Sequence, residues 1–246
     1  MTMLLRCIRA ENRKLRRSPI GALFLTVPAI SAVYGTFNFN MNLGILTHGW
    51  YDLWTQYTLF YAIFFFAPLI GVYAAYLWRL EHRGHNWNLI MTAPVRPFCL
   101  YFAKFCVVTK MAVLTQAWLL VLFVFGGKCG ATLPGFPPPE IVLWLLRGVI
   151  GGLAIIALQL LLSMVIRNFA LPVLIALGGS VAGLLAVSED LGLYWPYSLM
   201  ILGMNSNRTE DVMAGGIWGF YLSCAVLLSA FLLIANLLLT KRDVKV

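Results

Sequence analysis

The sequence predicts an all-α membrane protein: six transmembrane helices, an amphipathic interfacial helix at the N-terminus and a re-entrant element before the sixth span. Three observations predict it. Apolar runs long enough to cross a bilayer, eighteen residues or more, recur along the 246-residue chain, which is 61% hydrophobic and 11% charged. Inside lipid the backbone must satisfy its own hydrogen bonds, so these runs are helices. The polar stretches between them are too short to fold separately, so residues 1–18 read as a basic helix and residues 19–246 as one membrane domain. Lys and Arg, finally, fall almost entirely on one side of the spans. The net charge of +9 is then a topology signal, and calls for no nucleic-acid partner.

Residues 1–17 read MTMLLRCIRAENRKLRR. Leu4, Leu5, Ile8 and Leu15 fall near one helical face, and Arg6, Arg9, Arg13, Lys14, Arg16 and Arg17 occupy the rest. That pattern suits a helix lying on the cytoplasmic leaflet in contact with membrane lipid. A cleaved signal peptide is not expected, because the basic region runs to Arg17 and no small-residue cleavage site follows.

The spans are expected at Pro19–Phe37, Thr55–Trp78, Tyr101–Phe125, Ile141–Ile166, Ala170–Val187 and Met213–Leu239, with a kink at Pro68 and Gly71 in the second. The stretch Tyr194–Met204 is too short to cross, and its aromatic start and Pro196 suit a re-entrant helix. Six spans put both ends on one side. Thirteen basic residues then share that side: Arg6, Arg9, Arg13, Lys14, Arg16, Arg17, Arg79, Arg83, Arg96, Arg167, Lys241, Arg242 and Lys245. Lys128 and Arg208 alone lie opposite, so both termini are expected in the cytoplasm.

Gly148 with Gly152, Gly179 with Gly183, and Gly215 with Gly219 fit GxxxG spacing. Small residues at this spacing let helix backbones approach closely, within a chain or between subunits. Lys104, Lys110 and Arg147 are the ionisable residues within spans, and each can snorkel to an interface. No mid-span Asp, Glu or His is available to couple a proton or sodium gradient. Span serines have no histidine to activate them, which disfavours a membrane hydrolase. Lys128 follows Gly127, but Cys129 and Leu122 break the phosphate-loop pattern. His82 and His85 stand three apart without the further ligands a metal needs.

With no energy source of its own, the chain must be driven from outside, and the loop between the second and third spans is where a driver could act. It carries Glu81, His82, Arg83, His85, Trp87, Leu89, Pro94 and Arg96. A Glu opening the loop, Trp87 and Leu89 within it, the APVRP turn at 93–97 and Lys104 at the start of the third helix resemble the cytoplasmic loop of ABC exporter permeases. The basic N-terminal helix, six spans and re-entrant element extend the resemblance, which is to the lantibiotic-immunity and bacitracin-resistance branch. The paired histidines depart from it.

That resemblance implies a membrane subunit with no cofactor in this chain, ATP and Mg being held by a partner ATPase. It implies two ATP-binding subunits docked on the Glu81–Trp87 loop and a second, homologous permease chain. The implied substrate is a lantibiotic or related antimicrobial peptide, expelled across a bacterial plasma membrane for self-protection. Bacitracin, an ion or a lipid-linked compound would fit the same build, and a membrane enzyme or secondary carrier fits it less well.

Overall fold

The computed structural model describes residues 2–16, 18–83, 95–213 and 215–241, and the backbone alone of Lys241. Among these residues the fold is all helix. The basic segment forms α1 (Met3–Arg16). A short 3-10 turn, Pro19–Ala22, is capped by the Ser18 hydroxyl, which accepts from the Ile20 N–H at 3.2 Å. It leads into α2 (Leu23–Met41). The second span is built from α3 (Trp50–Phe60), a π turn (Tyr61–Phe65) and α4 (Phe66–His82). The third is α5 (Pro97–Phe125), prolonged by a π turn to Gly130. Then come α6 (Glu140–Val165), α7 (Ala170–Ser188), the short α8 (Ser198–Gly203) and α9 (Gly216–Lys241).

Among the described residues six helical stretches are long and apolar enough to cross a membrane, from 19 to 34 residues each. The second and third are longer than their apolar cores, reaching Trp50–His82 and Pro97–Gly130. Hydropathy reports only the part that lipid demands be apolar. The helices themselves continue past it, packed on one another. The expected outer loop 38–54 is accordingly shorter, with α2 running to Met41 and α3 starting at Trp50.

The irregularity expected at Pro68 and Gly71 sits just before them. The Phe66 N–H reaches back five residues to the Tyr61 carbonyl. Pro68 has no N–H to give Phe64, and its ring would clash with that carbonyl in a tight helix. The widened turn relieves both problems. Gly71 serves a close approach instead: a Cβ there would lie 3.2 Å from the Val173 Cα of α7.

The second span is the core, with 67% of its apolar window buried against 22% for the first and fifth and 17% for the sixth. Around it pack α2, α6 and α7. Trp54, Tyr57 and Phe123 meet edge to face, with ring centroids 5.2 to 5.3 Å apart. The short apolar stretch before the sixth span forms α8, and all six of its residues are buried. It lies across α6 and α7, and the Trp54 Nε1–H holds its end by donating to the Met204 carbonyl at 2.9 Å.

The GxxxG glycines pack within the chain. A Cβ on Gly148 would meet Met204 Cγ at 2.5 Å, and one on Gly179 would meet the Tyr197 ring at 2.4 Å. Gly152 faces Phe66, Gly183 faces the Ser198 backbone, and Gly215 and Gly219 face Leu193. Between α6 and α8, backbone meets backbone on glycines outside that spacing pattern. A Cβ on Gly151 would meet the Leu199 carbonyl oxygen at 2.4 Å, and one on Gly203 the Arg147 carbonyl oxygen at 2.6 Å. These two are where the α6 and α8 backbones touch.

Candidate functional site

The loop joining the second and third spans leaves α4 after His82 and re-enters at α5, whose first turn starts with Pro97. His85, Trp87, Leu89 and Pro94, with Arg17 of the basic segment, lie outside the described residues. The two helix ends that carry the loop are described, and an ionic cluster joins them.

Lys104 of α5 is fully buried, as are Glu81 of α4 and Glu11 of α1. The Lys104 ammonium donates to Glu11 Oε2 at 2.8 Å, Glu81 Oε1 at 2.9 Å and the Leu77 carbonyl at 3.1 Å. All three of its protons are therefore used. Its charge also lies 5.0 Å from the Trp78 ring centroid. Lys14 closes the figure, 2.6 Å from Glu11 Oε1 and 2.5 Å from Glu81 Oε1. Two cations and two carboxylates alternate, each touching both groups of opposite sign, and the formal charge sums to zero. A buried charge is tolerated only when paired and hydrogen-bonded, and this arrangement meets both conditions.

Several expectations change here. Glu81 was expected on an exposed docking loop. Its carboxylate is turned inward and spent on two lysines, because a chain leaving lipid can satisfy it there. Lys104 does not snorkel, since its partners sit at its own level. Lys14 leaves the basic face of α1 and turns inward, while Arg6, Arg9, Arg13 and Arg16 remain exposed. His82 is half-buried and its ring hydrogen-bonds the Ser163 carbonyl at 3.2 Å. Arg83 and Arg96 are exposed at the two ends of the loop. Glu11 is the residue the sequence reading passed over. It sits among Leu4, Ile8 and Leu15 at spacings of three and four, so an acid in the apolar stripe of a basic helix was the available signal.

Ordinary lysine titrates near 10.5, and Lys14 is held above that. Burial alone would lower it, but the Glu11 charge and the hydrogen bonds to Glu11 and Glu81 more than offset the burial.

Two concavities stand out among the described residues at the opposite end of the bundle. One is an open mouth of about 740 Å³ lined by Asp52, Asp190, Glu210 and Arg208. The other is an apolar groove of about 490 Å³ between α2 and the end of α5, bordered by Val33, Phe37, Leu122 and Phe125. The Asn38 amide donates to Gln56 Oε1 at 2.5 Å across the wall between them. Arg147 lies at this end too and binds both Asp211 carboxylate oxygens, at 2.8 and 2.9 Å. Among the described residues no group of three or more His, Cys, Asp or Glu is placed to hold a metal.

Among the described residues, six helical stretches able to cross a membrane, with a buried second span and an ionic clamp at one end, are the build of an integral membrane protein. The sequence model of the ABC-2 family transporter protein matches residues 7–183. The chain belongs to that family and is a permease subunit of an ABC transporter, working with an ABC ATP-binding subunit. No curated protein sequence matches it.

Proposed function

We propose that this permease is the membrane part of an exporter that expels a membrane-bound lantibiotic or related antimicrobial peptide from a bacterial plasma membrane. The observation that carries this reading is the pairing of concavities at the end away from α1. The apolar groove opens on the lipid-facing surface of α2, where Val33 and Phe37 are 69% and 63% exposed. The mouth beside it presents three carboxylates and one arginine. An amphiphilic, cationic peptide resting in the outer leaflet has an apolar face for the first and basic groups for the second. The basic residues concentrated at the α1 end support a cytoplasmic position for that end.

Drive comes from two ATP-binding subunits engaging the loop after His82, with a second, homologous permease completing the membrane part. The clamp supports that role for the loop. Because α1, α4 and α5 are joined at its base, a push on the loop moves all three together. Trp87 would anchor the ATPase. Replacing it by alanine should weaken ATPase co-purification more than tenfold, since a desolvated aromatic anchor is worth about 2 kcal/mol or more. Abundance of the permease should not change. Wild-type co-purification and ATPase activity in Trp87→Ala would show that the drive enters elsewhere.

Deleting the gene tests the substrate class. Sensitivity to a particular lantibiotic should rise, and peptide should remain with the cells instead of entering the medium. Unchanged sensitivity across lantibiotics and bacitracin would remove that substrate and leave the permease assignment standing.

A further inference from the structure

At the foot of the first span, α1, the 3-10 turn, α2 and α5 enclose a groove of about 350 Å³. One part of it is cationic. Arg16 at the end of α1 is exposed and has no partner among the described residues. Lys110 of α5 points into the same groove and donates to the Asn12 side chain of α1. Among the described residues no Asp or Glu lines the groove, because Glu11 is committed to Lys104 and Lys14. The other part is apolar. Leu25 and Leu114 border it, and each is 41% exposed. Leu114 is one helical turn beyond Lys110, about 6 Å deeper along α5. Gly21 lets the turn close against α1, since a Cβ there would meet the Leu15 carbonyl oxygen at 2.6 Å.

The level of the groove matters. It lies where the first span begins, at Pro19, and its leucines are set further along the spans than its cations, Leu25 following Arg16 and Leu114 following Lys110. Two fixed cations over two exposed leucines match an amphiphile with an anionic head. Arg and Lys bind phosphate oxygens by charge-assisted hydrogen bonds, and basic pockets between membrane helices hold anionic headgroups. A free inorganic anion would satisfy the cations and leave the leucines uncovered.

We infer that this groove is a binding site for one anionic phospholipid, its phosphate between Arg16 and Lys110 and an acyl chain along Leu25 and Leu114. The bound lipid fills the angle between α1 and the first span and fixes α1 against α5. The site does not depend on what the transporter carries.

The test uses the full chain purified in a neutral detergent, with bound lipid read by native mass spectrometry and thermal unfolding followed in parallel. Short-chain phosphatidylglycerol should bind about tenfold or more tightly than phosphatidylcholine of the same chain length and should raise the unfolding temperature. In the double variant Arg16→Gln/Lys110→Gln that preference should vanish. Leu114→Trp, which fills the apolar part and leaves both cations, should weaken both lipids. Arg13→Gln, an exposed arginine outside the groove, should leave the preference intact. A preference that survives the double variant, or that Arg13→Gln also removes, would overturn the assignment. Displacement of phosphatidylglycerol by an equal concentration of inorganic phosphate would also overturn it, since the site would then take the anion alone.

Discussion

Lys104 ties α1, α4 and α5 together through one side chain. Replacing it with methionine keeps the volume and removes the charge, leaving Glu11 and Glu81 buried with Lys14 alone between them. Breaking a buried pair from one side costs about 3–5 kcal/mol. Lys104→Met should therefore lower the amount of folded protein in the membrane and its unfolding temperature in detergent. Adding Glu81→Gln should recover part of the loss, because the remaining Glu11 and Lys14 still balance. A Lys104→Met protein as stable as the parent would mean that the cluster is solvated and not structural. Glu81→Lys places a third cation in the cluster, so it should reduce abundance, whereas Trp87→Ala should not. That contrast separates a residue that holds α1 from one that meets a partner. The pH dependence follows from Lys14. Its native value is raised, so its contribution is complete below 10.5 and is lost as pH climbs from there through the native value. Protease cleavage within α1 should stay slow up to about pH 10 and quicken above it. Cleavage that quickens instead as pH falls through neutrality would contradict this account.

Among the elements, α8 shows what was readable in the sequence and what was not. The segment YWPYSLMILGM announces an apolar element too short to cross, and the helix is there. Its contact with α6 was not readable, because GxxxG spacing points to Gly148 and Gly152 while the backbones touch at Gly151 and Gly203. Spacing identifies a helical face, and the crossing point depends on a partner that is distant in sequence. The spans were readable because lipid imposes one demand on every residue within it. Their ends were not, since packing governs them once the helix leaves the lipid. The ionic cluster was hidden for the same reason, as Glu11 and Lys104 are 93 residues apart. A prediction belongs at this scale. Gly151→Leu should displace α8 and lower the unfolding temperature sharply, because the clash is with a carbonyl oxygen that cannot rotate away. Gly178→Leu, where a Cβ has nothing within 4 Å, should be tolerated. Equal tolerance at both positions would mean that α8 does not seat on α6.

For the molecule as a whole, orientation is the property that experiment can settle most directly. With the basic end inside, an impermeant thiol reagent on intact cells should label Cys129 and neither Cys7 nor Cys99. Cys129 is exposed, so access is not in question. Labelling of Cys99 from outside would invert the protein. The permeabilised control for Cys7 should be run at alkaline pH, since burial and then the nearby Cys99 and Glu11 push its thiol above the ordinary range.

The long reach of the ionic cluster also sets a schedule for the nascent protein. A ribosome adding roughly 5–20 residues per second needs on the order of 5–20 s to travel from Glu11 to Lys104. For that interval the amphipathic segment has no ammonium waiting for it, and only its apolar face and basic residues hold it to the bilayer. The moment of docking is thus timed by emergence of the third span. Ribosome-bound chains halted before Lys104 should have an N-terminal segment open to protease, and chains halted after the third span has cleared the exit tunnel should have it protected. Protection that appears already with the first span would place the docking step earlier and give Lys104 no part in it.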